Sequence, residues 1–195
     1  MIKKVLLVLG VLVLGFCAFV ATRPATYHVE RSTTIKAPPE AVFAAVSDLK
    51  TFNQWSPWDK RDPNMKKTFT PNTSGVGASY EWQGNKEVGS GRMTVTEHTP
   101  PTQAKMKLEF IEPFASVADV TFAVAPAAGE TKATWAIDGN NNFIGKAFGV
   151  FMDMDKMLGA DFEQGLANLE ALVEKNAAAT PPPSQAAAPA PTAPP

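Results

Sequence analysis

Residues 145–175, GKAFGVFMDMDKMLGADFEQGLANLEALVEK, read as one long amphipathic helix around which the rest of the chain is organised. Ala147, Phe151, Met154, Leu158, Phe162, Leu166, Leu169 and Leu172 or Val173 recur every three or four residues and form one broad apolar stripe. Lys146, Lys156, Glu163, Glu170 and Glu174 fall mostly on the other side. Such a stripe needs a second layer to bury it, and the upstream partner is a run of short alternating segments between residues 66 and 138. The expected class is α+β, with the helix lying across a sheet.

Working back from that helix, the period of the pattern is two. Strands are expected near 66–70, 78–83, 91–98, 104–111, 116–124 and 132–138, separated by turn-forming runs such as Pro71-Asn72-Thr73-Ser74-Gly75 and Thr99-Pro100-Pro101-Thr102. Connections this short imply antiparallel neighbours, because parallel strands need long crossovers. Residues 28–36 add a seventh strand, with Val29, Arg31, Thr33 and Ile35 on one face. Pro38 and Pro39 end it. Proline suits a first helical turn and Glu40 complements the helix dipole, so Pro39–Asp48 reads as a helix burying Val42, Phe43 and Val46. A second short helix is expected over Leu49–Trp55, followed by an aromatic turn, Trp55-Ser56-Pro57-Trp58-Asp59.

Both termini differ from this middle. Val5–Ala21 is a run of seventeen uncharged residues between Lys3-Lys4 and Arg23-Pro24, which fits a membrane span or the apolar region of a secretory signal. The stretch Ala18-Phe19-Val20-Ala21 lacks the small-x-small cleavage pattern, and bulky Phe16 before Cys17 spoils a lipoprotein box. An uncleaved anchor is therefore favoured, with secretion after signal cleavage as the alternative. Lys3 and Lys4 place the N-terminus in the cytoplasm and the domain outside, on the extracytoplasmic or periplasmic face of the inner (plasma) membrane. After Asn176 the chain turns to Ala and Pro without charge, a composition that buries no core. Three regions follow: an anchor at 1–24, a folded domain at 25–176 and a disordered tail at 177–195.

Among 195 residues, 45% are hydrophobic and the net charge is −1, enough for one cored domain and too neutral for a nucleic-acid partner. With Cys17 alone and only His28 and His98, neither a disulfide framework nor a metal site is expected, and nothing calls for a cofactor.

The order of strand, two short helices, six-strand meander and long helix, together with three stretches, carries a resemblance. These are Arg31–Phe43 with Asp48, the Trp55-Ser56-Pro57-Trp58 turn, and Phe151–Met157 with Phe162–Leu169. They resemble the polyketide cyclase/dehydrase and lipid transport family (SRPBCC proteins), in a bacterial branch with an N-terminal hydrophobic segment. The resemblance implies a START-like or helix-grip fold, a curved seven-stranded antiparallel sheet wrapped around the C-terminal helix. It also implies an internal cavity between the two.

The alternation supplies a matching lining. Tyr80, Trp82, Met93, Val95, Met106, Leu108, Phe110, Val120, Phe122, Val124, Trp135 and Ile137 are expected to face inward, and an ordinary packed core would show the same pattern. Methionine favours a cavity, since its flexible thioether adapts to an irregular guest. Candidate ligand-contacting residues are Trp55, Trp58, Tyr80, Trp82, Met93, Leu108, Phe110, Phe122, Trp135, Phe151, Met154 and Leu158. Trp55 and Trp58 would plug one end of the core or form a lid. Polar residues expected inside are Arg31, Thr33 and Glu97, with Asp155 at the edge of the helical stripe.

Catalytic patterns are absent from the sequence. Gly89-Ser90-Gly91 lacks the nucleophile-elbow spacing, Gly75-Val76-Gly77 lacks a following helix, and Glu97 and His98 point to opposite faces as strand neighbours. The leading expectation is a membrane-tethered module that encloses an apolar small molecule or lipid. The alternatives are a cyclase- or dehydratase-like enzyme on an apolar carbonyl compound, with Arg31, Glu97 or Asp155 as its groups, and a solid-cored envelope interaction domain.

Overall fold

Alternating segments become strands wherever the intervening turns let neighbours pair, and here they do so seven times in one sheet. A computed structural model describes residues 1–179. Its elements are helix α1 (Ile2–Ala21), strand β1 (Thr26–Ile35), helices α2 (Pro39–Ser47) and α3 (Leu49–Trp55), and a 3-10 turn (Pro57–Lys60). Strands β2 (Lys66–Phe69), β3 (Ser79–Gln83), β4 (Ser90–Thr99), β5 (Gln103–Glu112), β6 (Ser116–Ala127) and β7 (Glu130–Asn140) follow. Helices α4 (Phe143–Phe151) and α5 (Met154–Ala179) complete the chain. The sheet is antiparallel throughout, in the order β1-β7-β6-β5-β4-β3-β2. The α2–α3 passage carries the chain from one edge of it to the other.

Local chemistry explains where α2, α3 and α4 start. Pro39 opens α2. Asp48 caps α3 by accepting from the Thr51 N–H at 2.7 Å, and Asn142 caps α4 by accepting from the Gly145 N–H at 2.8 Å. Along β1, helix α5 is held by a polar seam: Arg31 pairs with Asp155 and Glu163, Thr33 Oγ1 donates to Glu170, and the Lys36 N–H donates to Glu174.

Two expectations need correction. The stretch 145–175 is not one helix. Met152 is extended (φ −125°, ψ 126°) and splits it, because Asp153 accepts from the Lys156 N–H at 3.2 Å and starts a new helix at Met154. The apolar stripe therefore divides too: Phe162, Leu166, Leu169 and Val173 of α5 are buried, whereas α4 buries no residue. Glu97 does not face inward either. A bulge between Val95 and Glu97 leaves Thr96 unpaired and reverses the alternation, so Glu97 points outward to Lys105. His98 turns inward against the Phe43 ring instead.

Helix α5 continues past Lys175 through Asn176 and the alanines to Ala179, as a run of strong helix formers permits. The rest of the expected tail, 180–195, lies outside the described residues. At the other end, α1 is a 20-residue apolar helix, exposed along almost its whole length and compatible with a signal anchor or a signal peptide.

One half of the interior is filled with aromatic rings. Trp135 of β7 stacks on Phe162 of α5, with centroids 4.2 Å apart and planes 7° from parallel. Phe52, Trp55, Trp58 and Phe122 surround Trp135 at centroid distances of 5.3–5.9 Å. Gly165 makes this approach possible, since a Cβ there would lie 2.7 Å from the Trp135 ring. The Trp55 indole donates to the Ala45 carbonyl at 3.1 Å.

Candidate ligand-binding site

Beside that aromatic cluster the packing opens. The inward residues of β3, β4 and β5 form two rows across the sheet, Tyr80 opposite Met93 opposite Leu108, then Trp82 opposite Gly91 opposite Phe110. Phe52, Ser56, Trp58, Met65, Val88 and Leu158 close over these rows and enclose a cavity of about 140 Å³. Pockets for drug-sized ligands run to about 300–1,000 Å³, whereas a cavity near 150 Å³ holds a single benzene-sized guest. As it stands, the space suits one ring or a short length of chain.

Trp82 shapes the wall. Its six-membered ring packs against Gly91, where a Cβ would collide with it, and its Nε1 donates to the Val88 carbonyl at 3.1 Å. Phe110 meets it edge-on with centroids 5.9 Å apart. Tyr80 is buried, and that burial pushes its phenol well above the usual range, so it stays neutral.

Ser56, Asp59 and Glu87 are the polar and acidic residues among its lining. Asp59 is ion-paired to Lys67 of β2, and each side chain keeps only about a fifth of its surface exposed. Burial lowers the Lys67 ammonium below its usual value. Among the described residues, no three His, Cys, Asp or Glu side chains gather to hold a metal ion.

Of the residues singled out in the sequence, Trp58, Tyr80, Trp82, Met93, Leu108, Phe110 and Leu158 line the cavity. Trp55, Phe122 and Trp135 belong to the packed aromatic half instead. Phe151 and Met154 lie elsewhere, lining an open groove of about 510 Å³ between the α4–α5 junction and the start of β1. Asp155 borders the same groove, but its carboxylate is engaged by Arg31 at 3.0 Å, and these hydrogen bonds hold it below the usual carboxylate range. Arg31 is pushed up in turn by Asp155 and Glu163. Neither lines the cavity, and Glu97 is on the far face of the sheet.

Phe52, Ser56, Asp59, Met65, Glu87 and Val88 are the cavity residues that the candidate set missed. Met65, Glu87 and Val88 sit in loops, where alternation carries no information. Asp62 was the one available signal: ahead of Pro63 it forms an Asx turn, accepting from the Asn64 N–H at 3.1 Å, and its second oxygen accepts from the Asn85 N–H at 2.7 Å. That carboxylate ties the two loops together and brings Met65 and Val88 to the cavity.

Residues 26–174, the whole sheet with α2 to α5, match the family model described as polyketide cyclase / dehydrase and lipid transport. The chain belongs to this family. Its proteins typically bind hydrophobic ligands. Solved structures agree on the fold. Protein CV1439 from Chromobacterium violaceum is 18% identical, with a TM-score of 0.54 over 77% of this chain and 98% of its own. Protein MLL2253 from Mesorhizobium loti is 19% identical, with a TM-score of 0.55 over 76% of this chain and 98% of its own. The KanY protein is 20% identical, with a TM-score of 0.56 over 77% and 99%. No curated protein matches the chain.

Proposed function

We propose that the domain holds an apolar small molecule, or the leading segment of a lipid, in the cavity beneath Trp58, and that α1 tethers it to the extracytoplasmic face of the plasma membrane. The observation that carries the reading is the unfilled space itself, walled by Tyr80, Trp82, Met93, Leu108 and Phe110 in a core that is otherwise closed by stacked rings. Desolvating an apolar guest there gains about 25 cal/mol for each Å² removed from water. A guest larger than one ring is accommodated by Met65 and Met93, whose unbranched side chains move at little cost. The polar groups Ser56, Asp59 and Glu87 orient its head.

The test is native mass spectrometry of the full-length chain released from detergent, followed by organic extraction. A bound apolar compound is expected in the wild type and absent from Leu108→Trp. The same compound retained by Leu108→Trp would sink this site.

The Asp59–Lys67 pair favours a second reading, an enzyme acting on an apolar carbonyl compound. Asp59 lines the cavity and is paired with Lys67, whose ammonium burial lowers below its usual value, and an acid so placed suits proton transfer to a guest. On that reading Asp59→Asn and Lys67→Met retain the extracted guest unchanged while the wild type converts it. Identical guest recovered from all three proteins argues for binding alone.

A further inference from the structure

The register of the sheet places several features at one end of the molecule. Thr26 at the start of β1 is opposite Asn140, β6 begins at Ser116 opposite Phe110, and Phe110, Gly91 and Trp82 are ladder neighbours. The end of α1, the β5–β6 turn, helix α4 and the loop-borne cavity residues Glu87 and Val88 therefore share that end.

Helix α4 is unusual there. It buries nothing, carries Lys146 as its single charge and exposes Phe143, Ile144, Phe148 and Phe151, the last at 77%. Phe148 meets Phe114 of the β5–β6 turn with centroids 6.3 Å apart, so the exposed apolar surface is shared between the two elements. It is also continuous with α1: Phe151 meets Phe16 at 6.1 Å, and Lys146 Nζ donates to the Ala21 carbonyl. A water-facing aromatic surface of this kind marks an interaction site.

We infer that α4 and the β5–β6 turn form a second membrane contact, a collar immersed in the outer leaflet that seats the cavity mouth at the lipid surface. The inference rests on α1 being an uncleaved anchor. Three observations select lipid over a protein as the occupant. The 20 residues of α1 rise about 30 Å, the thickness of a hydrocarbon core. Phe16 lies five residues before Ala21, so Phe151, touching it, sits about 8 Å inside the end of the span, within the roughly 5–10 Å reached by interfacial helices. Arg23, stacked on the Phe19 ring at 4.3 Å, and Lys146 lie where headgroup phosphates would be. A guest would then pass between bilayer and cavity without crossing water.

The experiment uses the full-length chain in phosphatidylcholine–phosphatidylglycerol vesicles that carry acyl-chain nitroxides. Single cysteines replace Leu9, Phe114, Phe148 or Val76 in a Cys17→Ser background, each labelled with an environment-sensitive fluorophore. All four sites are more than half exposed, so folding is not at stake. Val76, in the loop before β3, serves as the distal control at the opposite end of the sheet. Nitroxide quenching at 114 and 148 is expected to approach that at 9 and to exceed that at 76 about fivefold, as immersion to interfacial depth requires. Strong quenching at 9 with 114 and 148 no different from 76 overturns the collar and leaves the anchor standing. Shielding of 114 and 148 from both lipid nitroxide and aqueous iodide means that a protein covers the face, and the collar is wrong. Absence of quenching at 9 removes the anchor, and the collar with it.

Discussion

The two halves of the interior are built from the same residue types and end differently. Around β6, β7 and α5, Trp135, Phe162, Phe122, Phe52 and Trp55 interlock with edge-on and stacked geometry. Around β3, β4 and β5, Tyr80, Trp82, Met93, Leu108 and Phe110 face a void. What differs is the covering layer. Above β7 lies α5, whose Gly165 lets a tryptophan ring fit beneath it, whereas the cover over β3 and β4 comes largely from the 3-10 turn and two loops, with Phe52 of α3 and Leu158 of α5 as the helical contributions. Loops present fewer side chains per unit area than a helix, and the space left under them is the candidate site.

Truncation should separate the halves most strongly. Trp135→Ala removes a 1%-exposed ring from the stack and is expected to destabilise by about 3–5 kcal/mol in urea denaturation. Leu108→Ala is expected at the low end of the range for its type, about 2 kcal/mol, because the lost methyls already border empty space. Equal costs would mean that the void is filled in solution and that the halves do not differ.

Enlargement reads the same contrast with the opposite sign. Val120→Trp forces a ring into the packed half and is expected to cost about 1–3 kcal/mol or more. Leu108→Trp grows into the cavity, so its stability should change by less than about 1 kcal/mol while uptake falls at least about tenfold, some 1.4 kcal/mol of binding. Denaturation midpoints and binding isotherms on the two variants check both arms. A Leu108→Trp protein that loses stability as heavily as Val120→Trp would show the hollow half to be as tightly packed as its neighbour.

Much of this was legible from periodicity. Alternation placed Tyr80, Trp82, Met93, Leu108 and Phe110 on the inner face, and the ladder sets them side by side there. It could not distinguish the filled half from the hollow one, because Phe122 and Phe110 have the same pattern and differ only in what covers them. Glu97 was misplaced because one unpaired residue, Thr96, reverses every later side chain, and a bulge leaves no periodic trace. Phe151 and Met154 were misplaced because spacing alone extends a stripe across a break; the capping signal was Asp153, with Asp155 following in the first turn. Asp59 and Lys67 meet only in three dimensions.

The smallest expected effect lies where the halves join. Asp48 caps α3, which carries Phe52 and Trp55 into the packed half, and it also accepts from the Thr73 hydroxyl in the loop that leads to β3. Burial raises its pKa, but the hydrogen bonds from Thr73 and Thr51 outweigh that and hold it below the usual value. A folded pKa below the unfolded one means that the charged carboxylate stabilises the protein above the unfolded pKa of about 3.9, and that this contribution is lost as pH falls through the folded value. Asp48→Ala should therefore cost about 1 kcal/mol at neutral pH, with the wild-type and variant denaturation curves converging below about pH 4. Asp48→Asn keeps the cap and removes the titration, so it should retain most of the stability while flattening the acid limb. A deficit for Asp48→Ala that stays constant down to pH 2 would show that the carboxylate charge takes no part in joining the halves and that the side chain acts there only by filling space.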